Sequence, residues 1–430
     1  MSIPISLPSD LAGWLSYIEA LHPKSIAMGL ERVDEVWQRL NLPPAFPIIT
    51  VAGTNGKGST CAMLERIYHE AGYRVASYSS PHLVRYNERV RVACQEANDQ
   101  ALCDAFAAVE AGRQGTALTY FEFGTLAAMW HFMQAGIDVA ILEVGLGGRL
   151  DAVNIFDPDC TIVTSIDLDH MDFLGNSRES IGFEKAGIFR RDVAAICGDS
   201  NPPESLLRHA AEVGADCSQI QQDFAFETAN DSWTYFSSVT KMADLPMPAL
   251  TGAFQLYNAA CVITAIQTLQ AKLPVTVEQI AAGLRAVILP GRFQRYQKKP
   301  LVVLDVAHNP HAANTLAQNL KQLRCAGRTL AVFAMLADKD IAGVISAVQG
   351  EIDVWYVAGI EHTRGASADQ LAGLVNQAMP HCQLHKYPNV TAAYAQACID
   401  AGENDRIIVF GSFFTVADVM RVLPSPQPND

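Results

Sequence analysis

The 430-residue sequence has no apolar run long enough to span a bilayer, and no C-x-x-C pair. A spanning helix needs about 20 apolar residues, so we expect no membrane association. Its 45 acidic residues outnumber 31 basic ones, giving a net charge of −14, which argues against a nucleic-acid partner. The ten cysteines, scattered from Cys61 to Cys398, predict reduced thiols rather than zinc or disulfides. Pro4, Pro8 and Asp10 argue against a signal peptide, so a cytoplasmic location is expected.

The composition predicts a folded protein with more than one core. Half of the residues are hydrophobic and 18% are charged, so apolar surface for burial is ample. A chain of 430 residues is too long for one typical core and predicts two or three domains. The stretch Ile288–Arg292, with Pro290 and Gly291, interrupts the pattern. We therefore predict domains over residues 1–295 and 296–430.

The first predicted domain alternates helix and strand patterns after a helical preface. Apolar spacing predicts helices over 10–22, 30–40, 61–71, 99–112, 122–135, 177–187, 203–214, 253–271 and 276–287. Apolar runs predict buried strands over 46–51, 73–78, 137–144 and 160–166. Residues 217–250 are richer in Ser, Thr and aromatics and predict a small β appendage. The alternation favours a parallel sheet covered by helices.

The second predicted domain repeats the alternation on a smaller scale. Strands are predicted near 301–306, 329–334, 353–357, 383–387 and 406–410. Helices are predicted near 311–323, 340–349, 367–378, 391–400 and 413–422. This is a Rossmann-like pattern, but the sequence has no G-x-G-x-x-G, so dinucleotide binding is not indicated. Residues 424–430 are expected to form a frayed tail.

The segment VAGTNGKGST at residues 51–60 has the features of a phosphate-binding loop. A strand feeding a glycine-rich turn that opens a helix directs backbone N–H groups and the positive helix end toward an anion. The spacing is shorter than in the common G-x-x-x-x-G-K-[ST] loop. The segment predicts ATP binding, and the alternative is an ordinary turn with a solvated Lys57. The predicted ATP-binding residues of the loop are Thr54, Asn55, Gly56, Lys57, Gly58 and Ser59.

This loop and a series of further segments resemble one protein family. The segments are SSPHLVRYNERVRV from Ser79, LTYFEFGTLAA from Leu118, LEVGLGGRLDAVN from Leu142, TSIDLDHMDFLG from Thr164, EKAGIF from Glu184, LPGRFQ from Leu289 and DVAHNPHAA from Asp305. The chain resembles the dihydrofolate synthase/folylpolyglutamate synthase family, the folate branch of the Mur ligase superfamily. The resemblance implies an α/β fold with an N-terminal parallel-sheet, P-loop ATPase-like domain and a smaller C-terminal Rossmann-like domain.

The resemblance also implies the reaction and its small-molecule partners. An ATP- and Mg²⁺-dependent amide ligase would add L-glutamate to dihydropteroate and to reduced folates through an acyl phosphate. A monomer is expected. The rivals are a cell-wall Mur ligase and a non-catalytic nucleotide-binding regulatory protein. Cell-wall Mur ligases carry a separate uridine-nucleotide domain before the loop, and the 52 residues that precede Gly53 are too few for one.

Three polar residues lie near the ends of predicted strands. Glu143 ends the 137–144 strand, Ser80 follows the 73–78 strand, and His170 follows the 160–166 strand. If the sheet is parallel, all three lie beside the phosphate loop. The resemblance implies that they are the magnesium ligands, although His is an unusual ligand for this hard ion. From the residues alone, a surface or capping role stays open for each.

Two roles for Lys185 are open from the sequence. A cation near the end of the 177–187 helix would offset the helix dipole. The resemblance instead implies that Lys185 is carbamylated and catalytic, together with Lys57 and His170. It further implies nucleotide contacts from Asn258, Arg292 and Asp305. For Asp305, turn chemistry before the Asn309-Pro310 pair is the alternative.

An acceptor pocket for the pterin is implied by three segments. They contribute Met28 and Gly29; Thr119, Tyr120, Phe121 and Glu122; and Leu150, Asp151 and Ala152. A flat pterin requires aromatic faces and a polar edge, which Phe121 and Asp151 could supply; core packing is the alternative for Phe121. The family usually has a hydroxyl residue where this chain has Val153. Arg85, Arg89 and Arg91 supply cations suited to substrate carboxylates.

Overall fold

A computed structural model describes residues 7–24, 26–252 and 254–423. The chain divides into two compact units. The first ends at Val287; the second begins at Ile288 and also includes Leu83–Arg85 and Leu250–Gln255. This division precedes the expected 295/296 boundary, which falls within the strand Gln294–Lys298. The tail expected over 424–430 lies outside the described residues.

The first unit contains ten described α-helices and eleven described strands. The helices are α1 (Leu11–Ala20), α2 (Glu31–Leu40), α3 (Lys57–Glu70), α4 (Asp99–Arg113), α5 (Tyr120–Ala135), α6 (Met171–Leu174), α7 (Arg178–Ala186), α8 (Glu204–Val213), α9 (Gln255–Thr268) and α10 (Val277–Ala286). The strands are β1 (Ile48–Ala52), β2 (Val75–Tyr78), β3 (Val90–Val92), β4 (Gln95–Glu96), β5 (Val139–Glu143), β6 (Cys160–Val163), β7 (Ala194–Cys197), β8 (Asp216–Gln219), β9 (Phe224–Ala229), β10 (Ser232–Ser237) and β11 (Lys241–Pro246).

The central sheet of this unit brings the predicted strand ends to one edge. Its eight strands run in the order β4-β3-β2-β5-β1-β6-β7-β8, and β2, β5, β1, β6, β7 and β8 are parallel. β1 and β5 are buried at every position, as expected for strands covered on both faces. The predicted parallel sheet is confirmed. Because parallel strands end at the same edge, the segments that follow β1, β2, β5 and β6 lie together there.

The helical preface packs on the same unit. Trp14 and Ile18 of α1 and Val33 and Val36 of α2 are buried in a core that also contains Phe106 of α4. Both predicted preface helices are present. No helix in the described ranges is long and apolar enough to cross a membrane.

The predicted β appendage is present, with one difference. β9, β10 and β11 form a separate three-stranded antiparallel sheet, centred on the fully buried Trp233 and Tyr235. β8, in contrast, pairs in parallel with β7 and belongs to the central sheet. Its residues Asp216–Gln219 are mostly half-buried, as is common at a sheet edge.

The second unit carries a six-stranded sheet. Its strands are β12 (Gln294–Lys298), β13 (Leu301–Asp305), β14 (Thr329–Phe333), β15 (Val354–Ala358), β16 (Gln383–Tyr387) and β17 (Arg406–Phe410). Its helices are α11 (Pro310–Gln322), α12 (Ile341–Val348), α13 (Ala368–Ala378), α14 (Val390–Asp400) and α15 (Phe413–Val422). The order is β12-β13-β17-β14-β15-β16, and only β12 pairs antiparallel within this described sheet. The five predicted strands and five predicted helices are confirmed.

Candidate active site

The phosphate loop connects β1 to α3 and depends on two glycines. Gly53 has φ +151° and Gly56 has φ +91°, conformations that side chains rarely adopt. A Cβ on Gly53 would overlap the hydroxyl of Thr164, and one on Gly56 would lie 2.5 Å from Asn258 Oδ1. Gly56 is the N-cap of α3 and has no side chain to accept from the first-turn N–H groups. Those N–H groups therefore form the anion-binding end of the helix.

Hydroxyl and backbone groups after β6 hold this loop in place. The Thr54 amide donates to Ser165 O at 2.7 Å, and the Thr54 hydroxyl donates to Asp167 O at 3.0 Å. The hydroxyls of Thr164 and Ser165 both donate to Asn55 O, at 2.6 and 3.0 Å. The loop is thus fixed from the adjacent strand end and does not depend on its own turn alone.

Lys57 folds back over the loop that it opens. Its Nζ donates to Gly53 O at 2.8 Å and to Thr54 O at 3.1 Å. These two carbonyls keep the ammonium beside the first turn of α3. A cation held there can neutralise charge on a phosphate bound by the helix N-terminus.

Ser80 and Glu143 meet at the ends of neighbouring strands. The Ser80 amide donates to Glu143 Oε2 at 3.2 Å. Glu143 is the last residue of β5 and is only 5% exposed. The two residues that were predicted to be adjacent are therefore in contact.

His170 lies in the segment after β6 that is hydrogen-bonded to the phosphate loop. It has a left-handed backbone, with φ +51°, and starts the short helix α6. Its backbone amide donates to Asp169 Oδ1 at 2.9 Å, and its Nε2 lies 4.0 Å from Asp169 Oδ2. Asp167 is hydrogen-bonded to Thr54 of the phosphate loop. His170 therefore lies only three residues along the chain from a contact with that loop.

Lys185 is an almost fully buried lysine at the end of α7. It is 4% exposed, and burial lowers the pKa of its ammonium from 10.5 to about 7. The charge of Lys57 contributes to this lowering, whereas Asp169 and Asp151 oppose it. These couplings show that Lys185 is electrostatically close to the phosphate loop and to the His170 segment. A lysine that exists only to offset the dipole of its helix end would be better placed in water.

The three predicted acceptor segments converge on the glycine loop that follows β5. A Cβ on Gly145 would lie 2.8 Å from Phe121 Cζ, and one on Gly147 would lie 3.9 Å from Met28 Cε. Phe121 also packs against Tyr78, with ring centroids 5.9 Å apart. The structure therefore brings Met28, Phe121 and the start of the 145–152 loop together.

Asp151 organises that loop from within. Leu146 N donates to its Oδ2 at 2.8 Å and Val153 N to its Oδ1 at 3.0 Å. Burial raises the pKa of Asp151 to about 6, while bonds from the backbone amides of Leu146, Val153 and Gly145 oppose the rise. Val153 itself is completely buried. Both Asp151 oxygens thus hold the loop, a role beyond the polar edge expected from the sequence.

Thr119 and Glu122 form a capping box at the start of α5. The Thr119 hydroxyl accepts from Glu122 N at 3.2 Å, and Glu122 Oε2 accepts from Thr119 N at 2.7 Å. Tyr120, the first residue of α5, lies under the Arg89 guanidinium, 5.6 Å from the ring centroid. The backbone N–H groups of Thr119 and Glu122, at the start of α5 beside the predicted pocket, are therefore hydrogen-bonded within the capping box.

The arginines of the 85–91 segment have different surroundings. Arg91 Nε lies 3.1 Å from the buried Glu65 carboxylate, so this cation neutralises a buried charge of the protein itself. Arg89 Nε donates to His82 Nδ1 at 2.8 Å and stacks on the rings of Tyr86 and Tyr120. Of these two, Arg89 is the one beside the predicted acceptor segment.

In the second unit, Asp305 and Arg292 form a local pair. Asp305 ends β13, and its two carboxylate oxygens accept from Phe293 N and Ala307 N, each at 2.8 Å. Burial raises the pKa of Asp305, and Arg292 opposes the rise. The Arg292 guanidinium stacks 5.0 Å from the centroid of the Phe413 ring. Asn309 caps α11, and Pro310 begins it, as the turn interpretation predicted.

Several site residues were missed by reasoning from single motifs. Thr164, Ser165 and Asp167 hold the phosphate loop, and Arg32 bonds Glu122. The signal for the first three was present, since hydroxyl and acidic residues follow a strand beside the loop. No local signal marks Arg32, because its partner is 90 residues away.

A P-loop at the N-terminus of α3, with a carboxylate at the neighbouring strand end and a second α/β unit, defines an ATP-dependent ligase-type fold. The Mur ligase middle domain family matches residues 51–266, and the Mur ligase glutamate ligase domain family matches residues 291–413. The chain is 48% identical to the dihydrofolate synthase/folylpolyglutamate synthase of Escherichia coli (strain K12), over 96% of each chain.

Solved structures agree. E. coli FolC in complex with DHPP and ADP has a TM-score of 0.92 at 47% identity, covering 97% of this chain and 98% of that one. A bifunctional folylpolyglutamate synthase/dihydrofolate synthase with Mn, AMPPNP and L-glutamate bound has a TM-score of 0.89 at 46% identity, covering 97% and 99%. The chain belongs to the dihydrofolate synthase/folylpolyglutamate synthase family within the Mur ligases.

Proposed function

We propose that this protein is an ATP-dependent ligase that adds L-glutamate to dihydropteroate and to reduced folates. The single observation that carries the proposal is the phosphate loop at the N-terminus of α3, beside the Ser80–Glu143 pair. The relatives support the substrates: one solved structure contains DHPP and ADP, and another contains Mn, AMPPNP and L-glutamate. The cell-wall alternative is supported only at the level of the broader Mur ligase superfamily.

The reaction divides into two displacements. A carboxylate oxygen of the acceptor attacks the γ-phosphorus of ATP, the bond to the β,γ-bridging oxygen breaks, and ADP leaves. The amine of glutamate then attacks the acyl carbon, the C–O bond to phosphate breaks, and the amine loses a proton as the amide forms. Splitting the reaction replaces a poor leaving group, hydroxide, with phosphate. Positioning and charge neutralisation dominate such phosphoryl transfer.

The residues of the phosphate loop supply that charge neutralisation. We assign the nucleotide phosphates to the backbone of Thr54, Asn55, Gly56, Gly58 and Ser59 and to the Lys57 ammonium. The Lys57 ammonium is already held 2.8 Å from Gly53 O, so little reorganisation is needed. We further assign Asn258, whose amide lies against Gly56, to the nucleotide. Arg292 and Asp305 of the second unit are also assigned to it.

We assign a magnesium ion to Ser80, Glu143 and His170. A carboxylate and a hydroxyl are the oxygen donors that this ion prefers, and the Ser80–Glu143 bond keeps the first two residues adjacent. The described residues contain no cluster of three or more His, Cys, Asp or Glu side chains suited to a metal, and the proposed set has only two of these types. When bound, magnesium would neutralise phosphate charge.

Lys185 is proposed to act as a carbamate. Its burial favours the neutral amine, which is the form that reacts with CO₂. The neutral amine attacks the carbon of CO₂ and loses one proton, which gives an anionic carbamate. Starting from the ammonium cation, two protons leave in all. That anion would orient His170.

The acceptor pocket is proposed to be formed by three segments around the 145–152 loop. The residues are Met28 and Gly29; Thr119, Tyr120, Phe121 and Glu122; and Leu150, Asp151 and Ala152. Phe121 and Met28 contact the glycine positions of that loop, which supports an aromatic face beside a flexible apolar cover. A monomer in the cytoplasm is proposed as the working form.

The test is release of ADP from ATP with defined acceptors. Dihydropteroate and tetrahydrofolate are assayed separately, each with and without L-glutamate. Amide product should form only with acceptor and glutamate together, and with both acceptors. A protein that binds ATP but forms no product with either acceptor would be the regulatory alternative.

A further inference from the structure

Arg32 links two of the segments assigned to the acceptor. Its Nη2 donates to Ala27 O at 2.8 Å and to Glu122 Oε1 at 2.8 Å. The Glu122 side chain is 4% exposed and that of Arg32 is 30% exposed. A carboxylate withdrawn from water this far requires a cation or several hydrogen-bond donors, and Arg32 supplies the cation.

Glu122 is bound on its other side by the start of α5. Its Oε2 accepts from Thr119 N at 2.7 Å within the capping box. The chain of bonds therefore runs from Ala27, through Arg32 and Glu122, to Thr119. It ties the segment before α2 to the N-terminus of α5 through a single buried carboxylate.

These two segments contribute the side chains that meet the glycine loop after β5. Met28 approaches Gly147, and Phe121 approaches Gly145. Met28 follows Ala27 directly, and Phe121 precedes Glu122 directly. The Arg32–Glu122 ion pair consequently joins the residues next to both apolar side chains.

We propose that Arg32 is a positioning residue that sets the separation of Met28 and Phe121 and thereby the affinity for the acceptor ring. The proposal rests on the proposed function, because it takes these segments as the acceptor pocket. Arg32 acts through the Ala27 carbonyl and the Glu122 carboxylate, and not on the phosphoryl transfer. Its removal should therefore raise the acceptor KM and leave the KM for ATP and kcat unchanged.

The chain offers a variant that removes the ion pair without removing the helix cap. In α10, Thr276 and Gln279 form a capping box in which Gln279 Oε1 accepts from Thr276 N at 2.8 Å. Glu122→Gln should therefore keep the bond to Thr119 N and lose the charge that faces Arg32. Arg32→Ala removes the cation and both of its hydrogen bonds.

Arg39→Ala is the matched control. Arg39 lies on the same helix, pairs with Glu35, and donates to Arg113 O at 2.8 Å and Thr116 Oγ1 at 3.0 Å. It thus ties α2 to the end of α4 with a similar set of bonds. Its contacts are remote from Ala27 and Glu122.

The experiment measures KM for dihydropteroate, KM for ATP, kcat and the melting temperature of each variant. We expect the acceptor KM to rise about tenfold in Glu122→Gln and at least as much in Arg32→Ala. The double variant should show no further rise than Arg32→Ala, since the ion pair is lost in all three and the bond to Ala27 O is lost in the last two. ATP KM and kcat should stay within about twofold, and Arg39→Ala should match wild type in all three constants.

An unchanged acceptor KM in Glu122→Gln, or an equal rise in Arg39→Ala, would overturn the positioning role. Should Arg32→Ala unfold, Arg32→Gln takes its place beside Glu122→Gln, because its amide keeps a donor at this position and loses the cation. If wild-type protein forms no product with dihydropteroate, the proposed function fails instead, and that failure is visible before any variant is compared.

Discussion

The backbone amide of Ser80 donates to Glu143 Oε2 across 3.2 Å. This contact follows from strand register. Tyr78, the last residue of β2, lies opposite Leu142 of β5, so the residues that follow β2 are brought beside Glu143, the last residue of β5. β5 also pairs with β1, where Val51 lies opposite Glu143. The same register therefore places the carboxylate next to the start of the phosphate loop.

Replacing Glu143 with Gln should separate its chemical role from its structural one. The amide oxygen of Gln can still accept from Ser80 N, but the anion is lost. We expect kcat/KM to fall by about 100- to 1,000-fold, corresponding to ~2.7–4 kcal/mol of transition-state stabilisation. The melting temperature without ligands should stay close to wild type. Wild-type turnover at saturating Mg²⁺ and ATP would show that the carboxylate has no part in the reaction.

Lys57→Ala tests the phosphate loop itself. The variant removes the ammonium that bonds Gly53 O and Thr54 O, and with it the charge assigned to the phosphates. Turnover should fall by about 100-fold or more, whereas the fold should persist because Thr164 and Ser165 also hold the loop. Lys272→Ala is the control, since this exposed lysine pairs with Asp159 at the surface. Loss of folding in Lys57→Ala, or full turnover, would contradict the assignment.

The strands that the sequence did not predict have identifiable causes. β3 and β4 are joined at Ala93 and Cys94, both with positive φ, where a two-residue hairpin turn usually carries Asn or Gly. β7 has the sequence Ala-Ala-Ile-Cys, too short and too poor in β-branched residues to stand out. β12 is polar and lies at a sheet edge. In each case pairing with a neighbouring strand decides the conformation.

Predictions for the site were most successful where a strand end determines position. Glu143 and Ser80 follow from the parallel sheet, and Gly53 and Gly56 of the phosphate loop follow from close backbone approach. Three backbone amides donate to Asp151, and this could not be predicted. A sequence does not show whether a buried carboxylate binds a ligand or the protein's own backbone. Long-range pairs such as Arg32–Glu122 require the fold first.

Arg292→Ala tests the assignment of the second unit to the nucleotide. The variant removes a guanidinium that stacks on Phe413 and lowers the pKa of Asp305. We expect weaker ATP binding and slower turnover, roughly tenfold each, with binding of the pterin acceptor near normal. Arg364→Ala is the control in the same unit, because Arg364 pairs with Asp338 on the surface. An equal loss of acceptor and ATP affinity would indicate a folding role for Arg292.

Lys185 leads to the prediction with the clearest pH dependence. Burial brings the pKa of its ammonium to about 7, so Lys185 is neutral in about half of the molecules at pH 7. An ordinary lysine with a pKa near 10.4 would be neutral in roughly one molecule in 2,500 at pH 7. Since only the neutral amine reacts with CO₂, the rate of carbamylation at fixed dissolved CO₂ should increase as the pH rises from 6 to 8 and then level off. Enzyme depleted of CO₂ should accordingly regain activity when dissolved CO₂ is restored to the same concentration at each pH, faster at pH 8 than at pH 6.

Two substitutions at this position separate a carbamate from a simple cation. Lys185→Arg keeps the charge but cannot be carbamylated, so it should be nearly inactive. Lys185→Ala should also be inactive, yet it leaves room for a small carboxylate, and added formate or acetate should restore part of the turnover. The measurement is turnover of both variants with and without these anions, alongside melting temperatures to verify folding. Full activity in Lys185→Arg would exclude the carbamate whatever the alanine variant does, because a permanent cation would then satisfy the site.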